Sequence, residues 1–400
     1  MIPPAAASAA VPRHALNGGL MALLATTMLF TASTIHYQTP ALGAIALDFG
    51  VDAAAAGWVA TGTFSGFLVG IVFLVPLGDR VDKRRLILVQ HSLLVVSMLG
   101  MALAPTLPVL VAFTSISGAL ACHSQNIVPL VAELAGPSER GRAVATILTA
   151  LFLGILFGRV GSGFIASHFG WRWTYVMSMA ILLALTPALL LRLPRSPAQT
   201  TLPYHTLIGS LLQFMRSHAE LRRVAGTQYL IGICYGGFWA TVAPMLFLLH
   251  GLGPGQIGLM GIPGAAGILV ARPAGRWMDR RGPVPVVTTG VSLVLAAFVV
   301  FGFAALWIGA VVIGAILMDC GLRSTMVANQ TLVNSVVADA RSRFNTVFAA
   351  HVWGGNATGA FLASAALARS GWLAVCAIGV LAAGSALVLH RRAARHLPPR

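Results

Sequence analysis

Charge is what this chain has least of. Only 9% of its 400 residues are Asp, Glu, Lys or Arg, and acids are the scarcer sign, ten against 26 bases. From Ala53 to Gly78 there is no charged residue, and from Leu86 to Ala132 there is none either. A soluble domain needs a wet, charged surface, so these runs exclude one, as do 57% hydrophobic residues and a mean hydropathy of +0.85. Repeated runs of about 20 apolar residues read as membrane-spanning helices, and the lipid bilayer becomes the first partner. Barrel strands are shorter and alternate, and backbone in lipid must satisfy itself, so the expected fold is all-α. Cysteine is also sparse. Cys122, Cys234, Cys320 and Cys376 stand far apart, with no CxxC or metal spacing, so neither a disulfide framework nor a metal site is expected. No GxxxxGK[ST] is present, so ATP does not drive the protein through a P-loop, and no HExxH marks a membrane protease. No cofactor is expected. Lysine occurs once, at Lys83, which reads as base composition of the gene.

What charge there is gathers in Val75–Leu86, VPLGDRVDKRRL. The word returns as GRWMDRRG at Gly275–Gly282, with Asp279-Arg280 standing 200 positions after Asp79-Arg80. Arg343 follows Arg142 by 201 positions, and Gly371-Trp372 follows Gly170-Trp171 by 201. Three landmarks in one register imply a duplication, and two parallel halves of six helices are a known transporter plan. The net charge of +16 invites a nucleic-acid reading, but the arginines are scattered as loop punctuation, so no nucleic acid is expected.

In order, residues 1–16 read as a flexible, Ala/Pro-rich N-terminus, followed by six spans over 17–192: α1 (about 17–46), α2 (54–77), α3 (86–104), α4 (107–133), α5 (143–168) and α6 (173–192). The first is read as a retained helix, since no clear cleavage site follows it. Pro40 should bend α1. Residues 193–222 form a polar linker in which Leu207, Leu211, Leu212 and Met215 fall at helical spacing, as in an amphipathic helix on the membrane surface. The second half, 223–390, repeats the plan: α7 (223–249), α8 (255–275), α9 (284–304), α10 (306–335), α11 (344–368) and α12 (371–390), with a tail at 391–400. Loop arginines crowd one side, leaving only Arg172 and Arg369 on the other, which predicts both termini and the linker in the cytoplasm.

Polar residues inside a bilayer are costly and tend to face a cavity or each other. They recur every third helix: His36, Tyr37 and Gln38 in α1; His123, Gln125 and Asn126 in α4; Tyr235 and Trp239 in α7; Asp319, Arg323, Gln330 and Asn334 in α10. These four helices are expected to line one central cavity. Asp319, Arg323 and Gln330 share a face of α10, and Asp319 four residues before Arg323 reads either as cavity function or as an internal ion pair. Arg159 is a lone charge deep in α5, too far in to snorkel, and reads as a ligand-binding or ion-pairing group. His36, His123 and His351 are candidate proton carriers, though a satisfied structural histidine is the commoner outcome.

PLGDRVDKRR and GRWMDRRG resemble the signature loop of the major facilitator superfamily, across nearly the whole chain. That resemblance implies twelve helices in two pseudo-symmetric halves. It also implies a cytoplasmic gate built on Asp79, Arg80, Arg84, Arg142, Arg276, Asp279, Arg280 and Arg343. HYQTPALGAIALDFGV, GPSERGRAVATILTALFLGILFGR and ARSRFNTVFAAHVWGG look closer to the bacterial branch of sugar and purine-nucleoside exporters. Two departures point away from multidrug antiport: Val111–Gly118 carries no arginine, and Gly158-Arg159 replaces a Gly-Pro. The implied function is a monomeric secondary transporter of the bacterial cytoplasmic membrane. It would export a small polar or amphipathic solute, driven by a proton gradient, with uptake as the alternative. A membrane enzyme or a non-transporting sensor would need a catalytic cluster or a signalling module, and the sequence offers neither.

Overall fold

The computed structural model describes residues 16–198, 200–336 and 341–394. The flexible segment expected at 1–16 falls outside these apart from residue 16, as do most of the tail at 391–400 and the side chain of Asn334. Every regular element among the described residues is a helix. Eleven stretches among the described residues are long and apolar enough to cross a membrane. In the first half these are α1 (Gly18–Phe49), α2 (Ala55–Arg80), α3 (Lys83–Ala102), α4 (Leu107–Leu134), α5 (Arg140–Phe169) and α6 (Trp171–Arg192). In the second they are α7 (Ala219–His250), α8 (Pro254–Arg281), α9 (Pro283–Phe301), α10 (Gly309–Val333) and, last, Trp372–Arg392. The helix between, Arg341–Ser370, is α11 and the last is α12. Its 30 residues are ample length at about 1.5 Å each, but it is less apolar. It is wedged between α2 and α7, where a methyl on Gly232 would lie 2.6 Å from the Val352 carbonyl, so it does not need to be apolar all round.

The duplication is visible in the backbone. Gly50 and Gly251, 201 positions apart, end α1 and α7 with φ of 64° and 65°. Gly170 and Gly371, with φ of 91° and 74°, lead into two buried tryptophans. Only glycine takes such angles without strain. The indole of Trp171 donates to Asp48 at 3.3 Å, and that of Trp372 to the Phe301 carbonyl at 2.6 Å. These turns mark one end of the bundle, here the far end; the opposite, basic end carries the charged words and the linker.

The expected bend in α1 is a break between Gly18–Thr34 and Gln38–Phe49. Pro40 cannot bond back to His36, and its ring crowds that carbonyl, which Thr39 takes instead at 3.2 Å. A matching break divides α4 at Cys122-His123, and α8 is broken twice, into Pro254–Gly258, Gly261–Gly264 and Gly267–Arg281.

The halves close on each other at the far end. A methyl on Gly163 of α5 would lie 2.6 Å from the Pro254 carbonyl of α8, and Gly43 sits against Phe247. Trp58 meets Phe361 at 5.2 Å, and deeper in Phe67 meets Trp353 at 4.1 Å. Toward the basic end Arg142, Thr146 and Thr149 of α5 and Gln330 and Thr331 of α10 are exposed.

The linker corrects two expectations. Its helix, Tyr204–Ser217, buries Leu207 and Leu211 against protein instead of lipid, and only Leu212 of the pair Leu211-Leu212 is exposed. Lys83 is also more than base composition. It is buried, and its ammonium bonds Glu133 of α4 at 2.6 Å, while Ser196 of the linker donates to the other oxygen of Glu133 at 3.1 Å.

Candidate functional site

The centre of the molecule is built where α5 crosses the break in α1. Gly158 brings the helices together: a methyl there would lie 2.7 Å from the Ser33 carbonyl and 3.2 Å from Cβ of His36. The next residue, Arg159, is 2% exposed and reaches into the other half. Its guanidinium donates to the Tyr235 hydroxyl at 2.7 Å and stacks 3.3 Å from the ring centre of Trp239. Tyr235 and Trp239, four residues apart, share one face of α7. A desolvated cation over an aromatic face is attracted by about 2 kcal/mol, so Arg159 joins the halves at mid-bundle.

The broken α8 makes this crossing possible. Gly258, Gly261, Gly264 and Gly267 recur every third residue and face the site. A methyl at Gly264 would lie 2.8 Å from the Trp239 ring, and one at Gly267 2.6 Å from both Cγ of Arg323 and the Asp319 carbonyl.

On α10 the internal Asp319–Arg323 ion pair, one of the two readings of their spacing, does not form. Arg323 turns its guanidinium over Phe152 of α5, 4.7 Å from the ring centre, and points one nitrogen at the Met326 sulfur at 3.9 Å. Spacing put the two residues on one face, but the Arg323 side chain is long enough to choose an aromatic partner in the other half. Asp319 is 1% exposed, and both Arg159 and Arg323 act on it, and on the buried His36, through space. Oδ2 of Asp319 and Nε of both arginines are buried without a hydrogen-bond partner. A cleft of about 10 Å³ between Arg159 and Arg323 has room for roughly one water.

Helices α1, α5, α7, α8 and α10 thus meet at one centre. Gln38 lies within the start of the second piece of α1, bonded to the Ile35 carbonyl at 2.8 Å, with its own oxygen unpartnered. The α4 residues go elsewhere, correcting the expectation of a fourth lining helix. His123 faces the interior of its own half, where Thr31 bonds it at 3.2 Å and His91 stacks edge-on at 5.7 Å. Asn126 is buried against Gly78 of α2, and Gln125 is half-buried. Gln330 is exposed, and His351 bonds the Val347 carbonyl of its own helix at 2.8 Å. Sequence reasoning missed His91 and the Gln228–Asn329 bond of 3.2 Å, which stitches α7 to α10 as Thr31–His123 stitches α1 to α4. It also missed the glycines of α8, whose period of three was there to be read.

The residues assigned to the gate are spread over the basic end. Arg80, Arg142, Arg276, Asp279 and Arg280 are exposed. Arg84 donates to the Leu190 carbonyl at 2.6 Å, Arg343 stacks over Phe214 of the linker helix at 5.0 Å, and the Asp79 carbonyl accepts from Thr200 at 3.0 Å. Tyr204 donates to the Phe73 carbonyl at 2.5 Å, and partial burial pushes its hydroxyl above the usual phenol range, keeping it a donor.

Two six-helix halves facing each other across a charged centre, with breaks in the helices that line it, are the architecture of a membrane transporter. The chain belongs to the Major Facilitator Superfamily, whose profile matches residues 21–248. It is 32% identical over 373 residues to the uncharacterized transporter YgaY of Escherichia coli O157:H7, covering 92% of this chain and 94% of that one. To the probable transporter SCO4007 of Streptomyces coelicolor it is 30% identical over 371 residues, 92% of this chain and 85% of that one. A multidrug resistance protein B homolog of Mycobacterium tuberculosis is 25% identical over 319 residues, 64% and 58% of the two chains. The fold superimposes on the nucleoside transporter NupG with a TM-score of 0.75 at 14% identity, over 96% of this chain and all of that one. The protein is a multi-pass membrane transporter and not an enzyme.

Proposed function

We propose that this transporter works by alternating access, coupled to protons at Asp319, and moves a small polar or amphipathic solute across a bacterial inner membrane. The observation that carries the reading is Asp319 itself, a carboxyl 1% exposed at the junction of the halves, with one oxygen lacking any hydrogen bond. An ionisable group in mid-membrane is costly and marks a substrate or proton path. Asp319→Asn should insert normally and still exchange substrate across a membrane without a gradient, but lose flux driven by a pH step. Both fluxes measured on the same proteoliposomes decide the matter: normal pH-driven flux removes Asp319 from the mechanism.

Export is the direction we propose first, supported by the multidrug relative. Uptake is favoured by the charge count at the centre. Two guanidiniums face one carboxylate, so a protonated Asp319 leaves both free for an anion, and proton and solute load together. The sign of the gradient that concentrates solute in vesicles of known orientation separates the two.

The loop arginines support a basic end in the cytoplasm, with the closed far end facing outward. A reporter fused after Arg216 should read cytoplasmic, and one inserted at Gly253 periplasmic; swapped readings would end this topology. Asp79 and Asp279, near the basic ends of α2 and α8, are the proposed latch residues of the cytoplasmic gate.

A further inference from the structure

We propose that the central cleft binds a small organic anion, its charged oxygens held between Arg159 and Arg323 and its apolar body against Phe152, Leu156 and Ile268. The inference rests on reading the charged centre as the transport site, and it does not depend on the direction of transport.

The charges do not balance. Arg159 and Arg323 line the cleft, no carboxylate is among its lining residues, and Asp319 beside it is coupled through space to both arginines. A surplus guanidinium in a membrane interior needs a counter-ion. Neither arginine is saturated by the protein. Arg159 is held by a neutral phenol and an aromatic face, and Arg323 by a ring and a thioether, which is a weak acceptor. Each keeps a buried Nε without a partner. A planar guanidinium offers paired donors that suit a carboxylate or phosphate, and two of them from opposite halves would let one anion bridge the halves. The rest of the lining is apolar, the usual composition of a site that takes an organic body by its surface and orients it by a few polar groups. A cleft that now admits one water must widen for such a ligand, and its α8 wall is broken beside it, between Gly261–Gly264 and Gly267–Arg281.

Asp319 is then the internal competitor for the same guanidiniums. This gives the proposal a sign that a purely structural arginine pair would not produce. Binding of benzoate, phenyl phosphate, benzylammonium and benzyl alcohol to the purified full-length protein in nanodiscs, by calorimetry and by thermal shift, tests it. We expect one or both anions to bind and benzylammonium not to. Arg323→Gln should weaken anion binding at least tenfold, Arg323→Lys should weaken it less, and Asp319→Asn should tighten it. Selectivity for benzylammonium, anion affinity unchanged in Arg323→Gln, or anion binding weakened by Asp319→Asn would each overturn the proposal. Should Arg323→Gln fail to fold, the selectivity of the wild type and the sign of the Asp319→Asn effect still decide. Binding is measured without a gradient, so the anion site can fail while pH-driven flux stands, and the reverse.

Discussion

The charged word is written twice in this chain, and the two copies live in different surroundings. In the first half, Asp82 caps α3, accepting from Arg84 N at 2.9 Å and from Ser196 N of the linker at 3.1 Å. Lys83 returns a bond from its own N–H to the Ser196 carbonyl at 3.1 Å and buries its ammonium on Glu133. In the second half, Gly282 with φ of 76° and then Pro283 open α9, where no side-chain cap forms, and Asp279, Arg280 and Arg281 are exposed. Sequence symmetry thus preserved the backbone path, down to paired left-handed glycines at the far end, while single side chains decided which half the start of the linker follows.

The largest effect should come from breaking that asymmetry. Removing one partner of a buried ion pair costs about 3–5 kcal/mol. Glu133 is 25% exposed, so the lower end applies. Lys83→Met or Glu133→Gln should therefore lower the Tm of the purified protein strongly, and Lys83→Met with Glu133→Leu should recover much of the loss. Asp279→Asn and Arg280→Gln, in the other copy, should stay within about 0.5 kcal/mol of the parent. Equal destabilisation of both copies would show that the linker contacts do not separate them.

Transport should divide the copies less sharply. If both aspartates latch the gate, Asp79→Asn and Asp279→Asn should each insert normally and lower flux, with Asp79→Asn the more damaging because Asp79 is half-buried while Asp279 is exposed. Flux per inserted molecule, with cysteine labelling from the basic end, reads both; wild-type flux and accessibility in Asp79→Asn would remove the gate from the first loop.

The same contrast explains what was legible beforehand. The break in α1 could be read from Pro40, because the cause is local to one turn. The duplication could be read from glycine and tryptophan spacing, because both were kept for one backbone conformation. Arg159 stood out because a lone charge deep in a span has few explanations. The Lys83–Glu133 bond could not be read, since its partners lie 50 positions apart and each looks like loop punctuation. Nor could the turn of Arg323 away from Asp319: helical periodicity fixes the face a residue occupies, and a long side chain then chooses among partners that only the packed neighbours reveal.

The smallest effect concerns the second tie between linker and first half. Tyr204 donates to the carbonyl of Phe73, within the widened turn Gly70–Leu74 of α2. Water can replace this half-exposed donor, so Tyr204→Phe should cost only about 0.5–1 kcal/mol. Its pH dependence is more telling than its size. The hydroxyl is raised above the ordinary phenol value, so its contribution is present in full below about pH 10, the unfolded value. It should be lost as pH rises further toward the folded value, because the phenolate can no longer donate and is poorly solvated. The difference in Tm between wild type and Tyr204→Phe should thus be flat from pH 7 to about 10 and shrink above it. Other tyrosines titrate alike in both proteins and drop out of the difference. A gap that stays constant to pH 11 would mean that ring packing, and not the hydrogen bond, ties the linker to α2.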